Sequence, residues 1–354
     1  MKVLFLIPYP LNSAPSQRFR FEQYINLLKI NNIEPVFQPF IGVETWKVLY
    51  SNGKLHRKIA GILMGFLRRF RLLMEASACQ YVFIHREASP VGPPVFEWIL
   101  AKVLGKKIIY DFDDAIWMAQ TGRENFLTKV VKNPGKVNKI IKWSHKVSCG
   151  NDYLRTHALK FNQNALLNPT TIDTEGLHSK LKDQQTDKVV VGWTGTHTTM
   201  MYLEQIVPVL RKVYQLRSFQ LLVISNKTPE FEFPELEFVK WKESTEQEDL
   251  LRINIGIMPL ADNKWTRGKC GFKALQYMAL GIPAVVDPVG VNTEIVDQGV
   301  NGYLCYSEAD WIAALTKLID SAQLRSEMGE KAREKVVKSY SVKSNQENFL
   351  SLFS

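Results

Sequence analysis

Two lysines, Lys269 and Lys273, occupy the expected entrance of a helix in the stretch RGKCGFKALQYMALGIPAVVDPVGVNTEIV, residues 267–296. A helix entrance already offers unpaired backbone N–H groups and the positive end of the peptide dipole, so two ammonium groups there suit a diphosphate. Gly271 lies in the loop between them. A P-loop is excluded, because that motif needs Ser or Thr after its lysine and Cys270 follows Lys269. No G-x-G-x-x-G follows a strand, which removes the dinucleotide fingerprint. A second glycine turn, VGWTGTHTTMMYL, sets Gly192 and Gly195 between an expected strand and helix. Thr196 or Thr198 would cap that helix, leaving the N–H groups of the turn at Thr194, Gly195 and Thr196 toward a phosphate. An ordinary βα turn and two solvated lysines are the plainer readings of the same residues.

The first half carries other candidates. Arg18 and Arg20, in PSQRFRFEQY, are expected on a loop after the first strand, facing a cleft. Cations are disfavoured at a helix start unless an anion is near, which favours a phosphate or carboxylate partner over a charged first turn. YDFDDAIW crowds Asp111, Asp113 and Asp114 behind a buried strand. Three adjacent carboxylates repel, so some must be paired, capping or metal-bound. Asp113 or Asp114 is expected to contact a sugar or acceptor, with a helix cap as the alternative. His85 and Arg86, ahead of Glu87 at a strand end, are weaker candidates of the same kind.

Residues 54–76, KLHRKIAGILMGFLRRFRLLMEA, repeat Ile59, Ile62, Leu63, Phe66, Leu67, Phe70 and Leu73 at helical spacing, with Arg57, Lys58, Arg68, Arg69 and Arg71 around them. The pattern fits a helix packed on a core, or an interfacial helix drawn to anionic lipid.

The elements that would position these groups alternate between strand and helix. Strands are expected at 2–8, 34–40, 81–86, 107–112, 145–149 and 164–168, with a helix at 17–31. After a polar run the pattern restarts with strands at 189–193, 219–225, 253–260 and 282–286 and helices at 198–215, 269–280, 308–340 and 342–353. Such alternation predicts parallel sheets covered on both faces. The division expected is a first Rossmann-like domain at 1–168, a linker at 169–187, a second domain at 188–338 and a C-terminal helix at 339–354. Two α/β halves imply a cleft for ligand beyond the carboxyl ends of their strands.

At 354 residues the chain suits two domains of ordinary size. No apolar run approaches the ~20 residues that span a bilayer. Pro8 and Pro10 interrupt the apolar start, which reads as a buried strand rather than a signal peptide. The four cysteines are dispersed, without a C-x-x-C pair, so a reducing cytoplasm is expected and a disulfide framework or zinc site is not. Lys and Arg exceed Asp and Glu by 24 to 11 in residues 1–170 and trail them by 21 to 24 in the remainder, so the net charge of +10 resides in the first half. A basic half suggests an anionic partner. Nucleic acid ranks lowest, because no aromatic-basic stacking motif accompanies the charge.

The pattern G-x-x-x-L-Q-Y-M-A-x-G-x-P-x-V, followed by G-V-N-x-E-I-V and N-G-Y-L, resembles the donor-binding region of family 4 retaining glycosyltransferases, in a bacterial sub-branch. KVLFLIPYP…PSQRFRFEQY, FIHREASPVGPPVFEWILAKVLGKKIIYDFDDAIW and IMPLADNKWTRGKCGFK extend the resemblance over nearly the whole chain. It implies an α/β GT-B fold: two Rossmann-like parallel-sheet domains facing across a cleft, with the C-terminal helix returning to the first. It also implies a metal-independent transfer with no cofactor besides the nucleotide diphosphate-sugar donor. The sequence departs from the family in its charged residues. Its paired glutamates, one near the transferred sugar and one on the ribose, fall here at Gly268 and Gln276. Gln276 keeps the capacity to bond a ribose hydroxyl, while Glu294 matches a family position in a helix first turn. The family's Arg and Lys after the first strand of the second domain are also missing, and Lys269 and Lys273 are expected to supply that charge.

The function expected is transfer of a sugar, with retention, to a glycan or lipid-linked acceptor in cell-envelope polysaccharide synthesis. Residues 54–76 would hold the enzyme at the inner face of the plasma membrane. A nucleotide-sugar epimerase of the same fold and a non-catalytic nucleotide-sugar-binding protein are the alternatives.

Overall fold

Apolar runs long enough for one strand each, separated by helices, can bury both strand faces only in parallel sheets with helices above and below. The computed structural model, which describes residues 1–49, 53–118, 133 and 135–354, contains two such sheets. They belong to two units, Met1–Thr170 with Gln346–Ser354, and Thr171–Asn345.

In the first unit six parallel strands run in the order β2-β1-β3-β4-β5-β6. They are β1 (Lys2–Ile7), β2 (Glu34–Pro39), β3 (Tyr81–His85), β4 (Lys107–Phe112), β5 (Lys146–Cys149) and β6 (Ala165–Leu167). Phe5 and Phe83 stack across β1 and β3 with ring centroids 4.8 Å apart. The C-terminal segment closes this core: Phe349 stacks on Tyr24 at 4.1 Å, and Lys146 Nζ donates to the carbonyls of Ser351 and Ser354 at 2.6 and 2.8 Å.

The helix expected at 17–31 is broken. A turn at Pro15–Arg18 is followed by a 3₁₀ turn at Glu22–Tyr24 and a helix at Ile25–Ile30. The interruption falls where Arg20 leaves the helical path to reach a buried carboxylate, described below.

The basic helix, Leu55–Glu75, packs by the face that carries its glycines. Gly61, Gly65, Arg69 and Leu72 are buried, a stripe at i, i+4, i+8, i+11. A Cβ on Gly61 would lie 2.3 Å from the Thr45 side chain, and one on Gly65 2.7 Å from the Phe40 ring. Arg69 is fully buried and donates to the carbonyls of Ala88, Gln38 and Ile7 at 2.7, 2.8 and 3.1 Å. Burial pulls its pKa down to about 9, against a partial restoring effect of Glu97. The apolar residues Ile59, Leu63, Leu67, Phe70 and Met74 consequently face outward, each about half exposed or more.

The second unit also has six parallel strands, in the order β12-β11-β10-β7-β8-β9: β7 (Val190–Gly195), β8 (Gln220–Ser225), β9 (Leu236–Lys240), β10 (Ile255–Met258), β11 (Ala284–Val286) and β12 (Gly302–Leu304). Long helices at His197–Leu216, Glu308–Asp320 and Ala322–Ser339 cover it. The polar run expected to be a linker is largely built into this unit. Ile172 pairs with Ser341, and Gln184 is buried, bonding the Asn254 and Gly281 carbonyls and receiving Arg325 Nε at 3.2 Å.

Candidate functional site

Strand order in the second sheet reverses between β7 and β10, and the carboxyl ends of strands flanking such a reversal are where open α/β sheets bind ligand. Three segments converge there. The first is the end of β7. Trp193 is buried, and Lys273 Nζ lies 5.7 Å above the centre of its ring. A Cβ on Gly195 would stand 2.6 Å from that ring and 2.9 Å from Lys273 Cε, so a side chain at 195 would displace the lysine. The second segment is the helix Phe272–Ala279, which starts from Gly271 at φ 66°. A Cβ on Gly271 would sit 2.1 Å from Ile295 Cδ1, so only glycine lets this loop meet the third segment, residues 289–295. There Glu294 is exposed in the first turn of the short helix Asn292–Ile295.

Lys269 and Lys273 are therefore not plain solvated lysines. Each is partly buried, and Lys269 Nζ lies 5.2 Å over the Trp265 ring as Lys273 lies over Trp193. Such ring faces attract cations and limit where the long side chains can go.

Other expectations for this turn are corrected. Gly192 lies inside β7 rather than in the turn, and its missing side chain makes room for Ile253, whose Cγ1 would be 2.3 Å from a Cβ there. The Thr194 N–H is committed to Tyr277 Oη at 2.9 Å. Thr196 is the N-cap of the helix His197–Leu216 but makes no side-chain cap bond. Its hydroxyl bonds that of Thr198 at 2.8 Å, and Asn226 Oδ1 takes the His197 N–H at 2.8 Å. Gln276 is buried one turn beyond Lys273 on the same helix, with Nε2 donating to Glu246 Oε1 at 3.4 Å. Sequence reading missed Tyr277 and Glu246. The first had a signal, since a tyrosine in an otherwise buried helix must find a hydroxyl partner.

In the first unit the strand order reverses between β1 and β3. Register places His85 beside Asp111 and Asp111 beside Ser148 on β3, β4 and β5. Asp111 accepts from His85 Nδ1 at 2.8 Å, Ser148 Oγ at 2.6 Å and Arg20 Nη2 at 2.5 Å. Arg20 also reaches the Asn168 carbonyl. Burial alone would raise the Asp111 pKa, but Arg20 and His85 outweigh it and hold the carboxyl below the ordinary range. Arg20 is thus an internal counter-ion rather than an exposed arginine. Its neighbour Arg18 is also mostly buried, with its guanidinium 5.2 Å over the Phe19 ring.

Asp113 and Asp114 are held from one side by Arg86. Its Nη2 lies 2.7 Å from Asp113 Oδ1 and 2.9 Å from Asp114 Oδ2. Arg86 adopts φ 62°, a left-handed conformation that costs a bulky residue energy. Its N–H donates to the Asp111 carbonyl at 2.7 Å and its carbonyl accepts from Tyr110 Oη at 2.6 Å. Burial lowers the Arg86 pKa, yet Asp113 and Asp114 reverse this and raise it overall. All three carboxylates of the DFDD run are thus engaged by arginine or histidine. Among the described residues no group of three His, Cys, Asp or Glu side chains stands close enough to hold a metal ion.

Residues 235–335, which include β10, β11 and the lysine-bearing helix, match the family model "Glycosyl transferases group 1". Among curated proteins no sequence matches the chain. Among solved structures, sucrose-phosphate synthase from Thermosynechococcus elongatus is 12% identical with a TM-score of 0.71, over 99% of this chain and 98% of that one. HepE of Anabaena, in complex with UDP and glucose, is 13% identical with a TM-score of 0.64, over 100% and 99% of the two chains. The lipopolysaccharide outer core galactosyltransferase WaaB gives the same identity, coverage and score. At these identities the likeness establishes the fold: two Rossmann-like domains of the GT-B architecture.

Proposed function

We propose that this protein transfers a sugar from a nucleoside diphosphate to a glycan or lipid-linked acceptor, with retention of anomeric configuration and no metal ion or cofactor besides the donor. The observation that carries the reading is the convergence of Lys273, the Gly195 end of β7 and the Gly271 loop at the reversal of the second sheet, with Lys273 and Gly271 inside the segment matching group 1 glycosyl transferases. In this reading Lys269 and Lys273 neutralise the departing diphosphate, and Gln276 bonds a ribose hydroxyl. The leaving phosphate takes the acceptor proton, so the protein's contribution is positioning and charge stabilisation. Arg86, Asp113 and Asp114 contact the acceptor, with the αL strain at Arg86 as supporting evidence.

HepE forms a complex with UDP and glucose, which makes UDP-sugars the first donors to test. In a thermal-shift panel of UDP-, GDP- and ADP-sugars, one nucleotide class should stabilise the protein by about 2.7 kcal/mol at ~100 times its dissociation constant. A panel in which no nucleotide-sugar moves the transition would defeat the reading.

The exposed face of the helix Leu55–Glu75 supports a membrane-surface location, on the cytoplasmic side. Leu63, Leu67 and Phe70 project outward on a helix that also exposes Lys54, Arg57 and Arg71 at or near its surface, a combination suited to anionic lipid. Among the described residues no helix is long and apolar enough to cross a membrane. Sedimentation with phosphatidylglycerol-containing vesicles should fall about a hundredfold in affinity in the double variant Leu63→Ser, Leu67→Ser, because two buried leucines are lost from the lipid. Binding that is indifferent to both lipid charge and these leucines would remove the membrane from the account.

A further inference from the structure

Glu246 begins the short helix Glu246–Leu250 and is almost fully buried. Its Oε1 receives Trp241 Nε1 at 3.2 Å and Gln276 Nε2 at 3.4 Å. A carboxylate only accepts hydrogen bonds, whereas a glutamine amide has one donating and one accepting end. The contact therefore fixes which way the Gln276 amide is turned. The NH₂ group must face Glu246, and the carbonyl oxygen is the end left for a ligand. Among the described residues that oxygen accepts no hydrogen bond. Gln276 lies three residues after Lys273, a spacing that puts both on one face of the helix Phe272–Ala279.

We infer that Glu246 is a positioning residue that orients Gln276 so that its carbonyl oxygen accepts a hydroxyl of the bound nucleotide. The inference rests on the nucleotide-sugar reading of this site. The pair holds one negative charge, on Glu246, and one neutral acceptor, on Gln276. A carboxylate at position 276 would face the Glu246 carboxylate at hydrogen-bond distance, and like charges so close cannot both be accommodated. A glutamate at 276 would thus have to take a proton or turn away from Glu246, and becomes acceptable as a carboxylate once position 246 is an amide. Trp241, donating to the same oxygen, keeps the residue at 246 in place in either arrangement.

The test is a charge exchange read by nucleotide binding, with titration calorimetry against UDP, GDP and ADP and an unliganded melting curve for each variant. Gln276→Glu should weaken the preferred nucleotide at least about tenfold, a coupling of the size contacting residues show. Glu246→Gln frees the amide to turn over and should weaken binding about threefold. The double variant Gln276→Glu, Glu246→Gln should return to the parent's affinity, about threefold tighter than Glu246→Gln. If Gln276→Glu does not fold, the comparison of Glu246→Gln with the double variant still decides, because tighter binding by the double variant supports the coupling. Additive losses, or variants that melt lower yet bind as the parent does, would overturn the inference while leaving the nucleotide reading intact. A parent protein that binds none of the three nucleotides would remove both.

Discussion

Arg20→Ala is expected to cost the protein about 3–5 kcal/mol of stability, the usual penalty for stranding one partner of a buried ion pair. Both side chains are essentially inaccessible. Asp111 receives Arg20, His85 and Ser148 together, so removing the guanidinium leaves a carboxylate that water cannot solvate. Equilibrium urea unfolding measures the loss. The pH dependence gives an independent check. A carboxyl held below its unfolded pKa contributes stability that is present above about pH 4 and is lost as pH falls further. The parent should therefore lose stability in acid. The deficit of Arg20→Ala should narrow there, because the stranded carboxyl in the variant gains from being protonated. Replacing the pair together, Arg20→Met with Asp111→Asn, should cost less than Arg20→Ala alone, because the amide carries no charge yet still offers an oxygen to His85 and Ser148. A loss under about 1 kcal/mol in Arg20→Ala would show that the pair is not the internal staple described here.

Much of the architecture was legible in the sequence because it depends on local pattern. Short apolar runs such as KVLFLI and KIIYDF gave their strands, and their alternation with helices implied the parallel sheets. What escaped depends on contacts between distant residues. Arg20 and Asp111 are 91 positions apart, and nothing near Arg20 announces an internal anion, so an arginine after a first strand looked ligand-facing. The sequence pattern of the helix Leu55–Glu75 fits either a core-packed or a lipid-facing apolar side. Its hydrophobic periodicity suggested which face is apolar, but the close approach at Gly61 and Gly65 decides which face is buried. Gly192 was taken for a turn because glycine punctuates turns, whereas here it answers a clash with Ile253 from a different segment. At the candidate site the lysines and Gly271 were visible from spacing. The partner of Gln276 was not, since Glu246 precedes it by 30 residues in an ordinary acidic run.

The second large effect expected is on turnover. Lys269→Ala and Lys273→Ala should each lower kcat/KM by about 10²–10³-fold, the scale associated with removing one preorganised group from a developing negative charge. The fold should survive, because neither lysine is fully buried and each rests over a tryptophan ring that remains in place. Lys273→Arg keeps the charge but enlarges the group beside Gly195, where space is already limited. It should recover only part of the activity. Gly195→Ala, which forces the lysine aside, should mimic Lys273→Ala although it leaves the charge present.

The central claim is that the group 1 segment, through its two lysines, forms a sugar-donor site that performs transfer. The most direct measurement is release of nucleoside diphosphate from a UDP-, GDP- and ADP-sugar panel, with and without a mixed glycan and lipid-linked acceptor pool. The parent and the Lys269→Ala and Lys273→Ala variants are measured together. The account predicts that one nucleotide class supports acceptor-dependent release with a new glycosidic product, and that both lysine variants lose it while remaining folded. Equal release by parent and variants, or a parent that binds donor but forms no product with any acceptor, would contradict it.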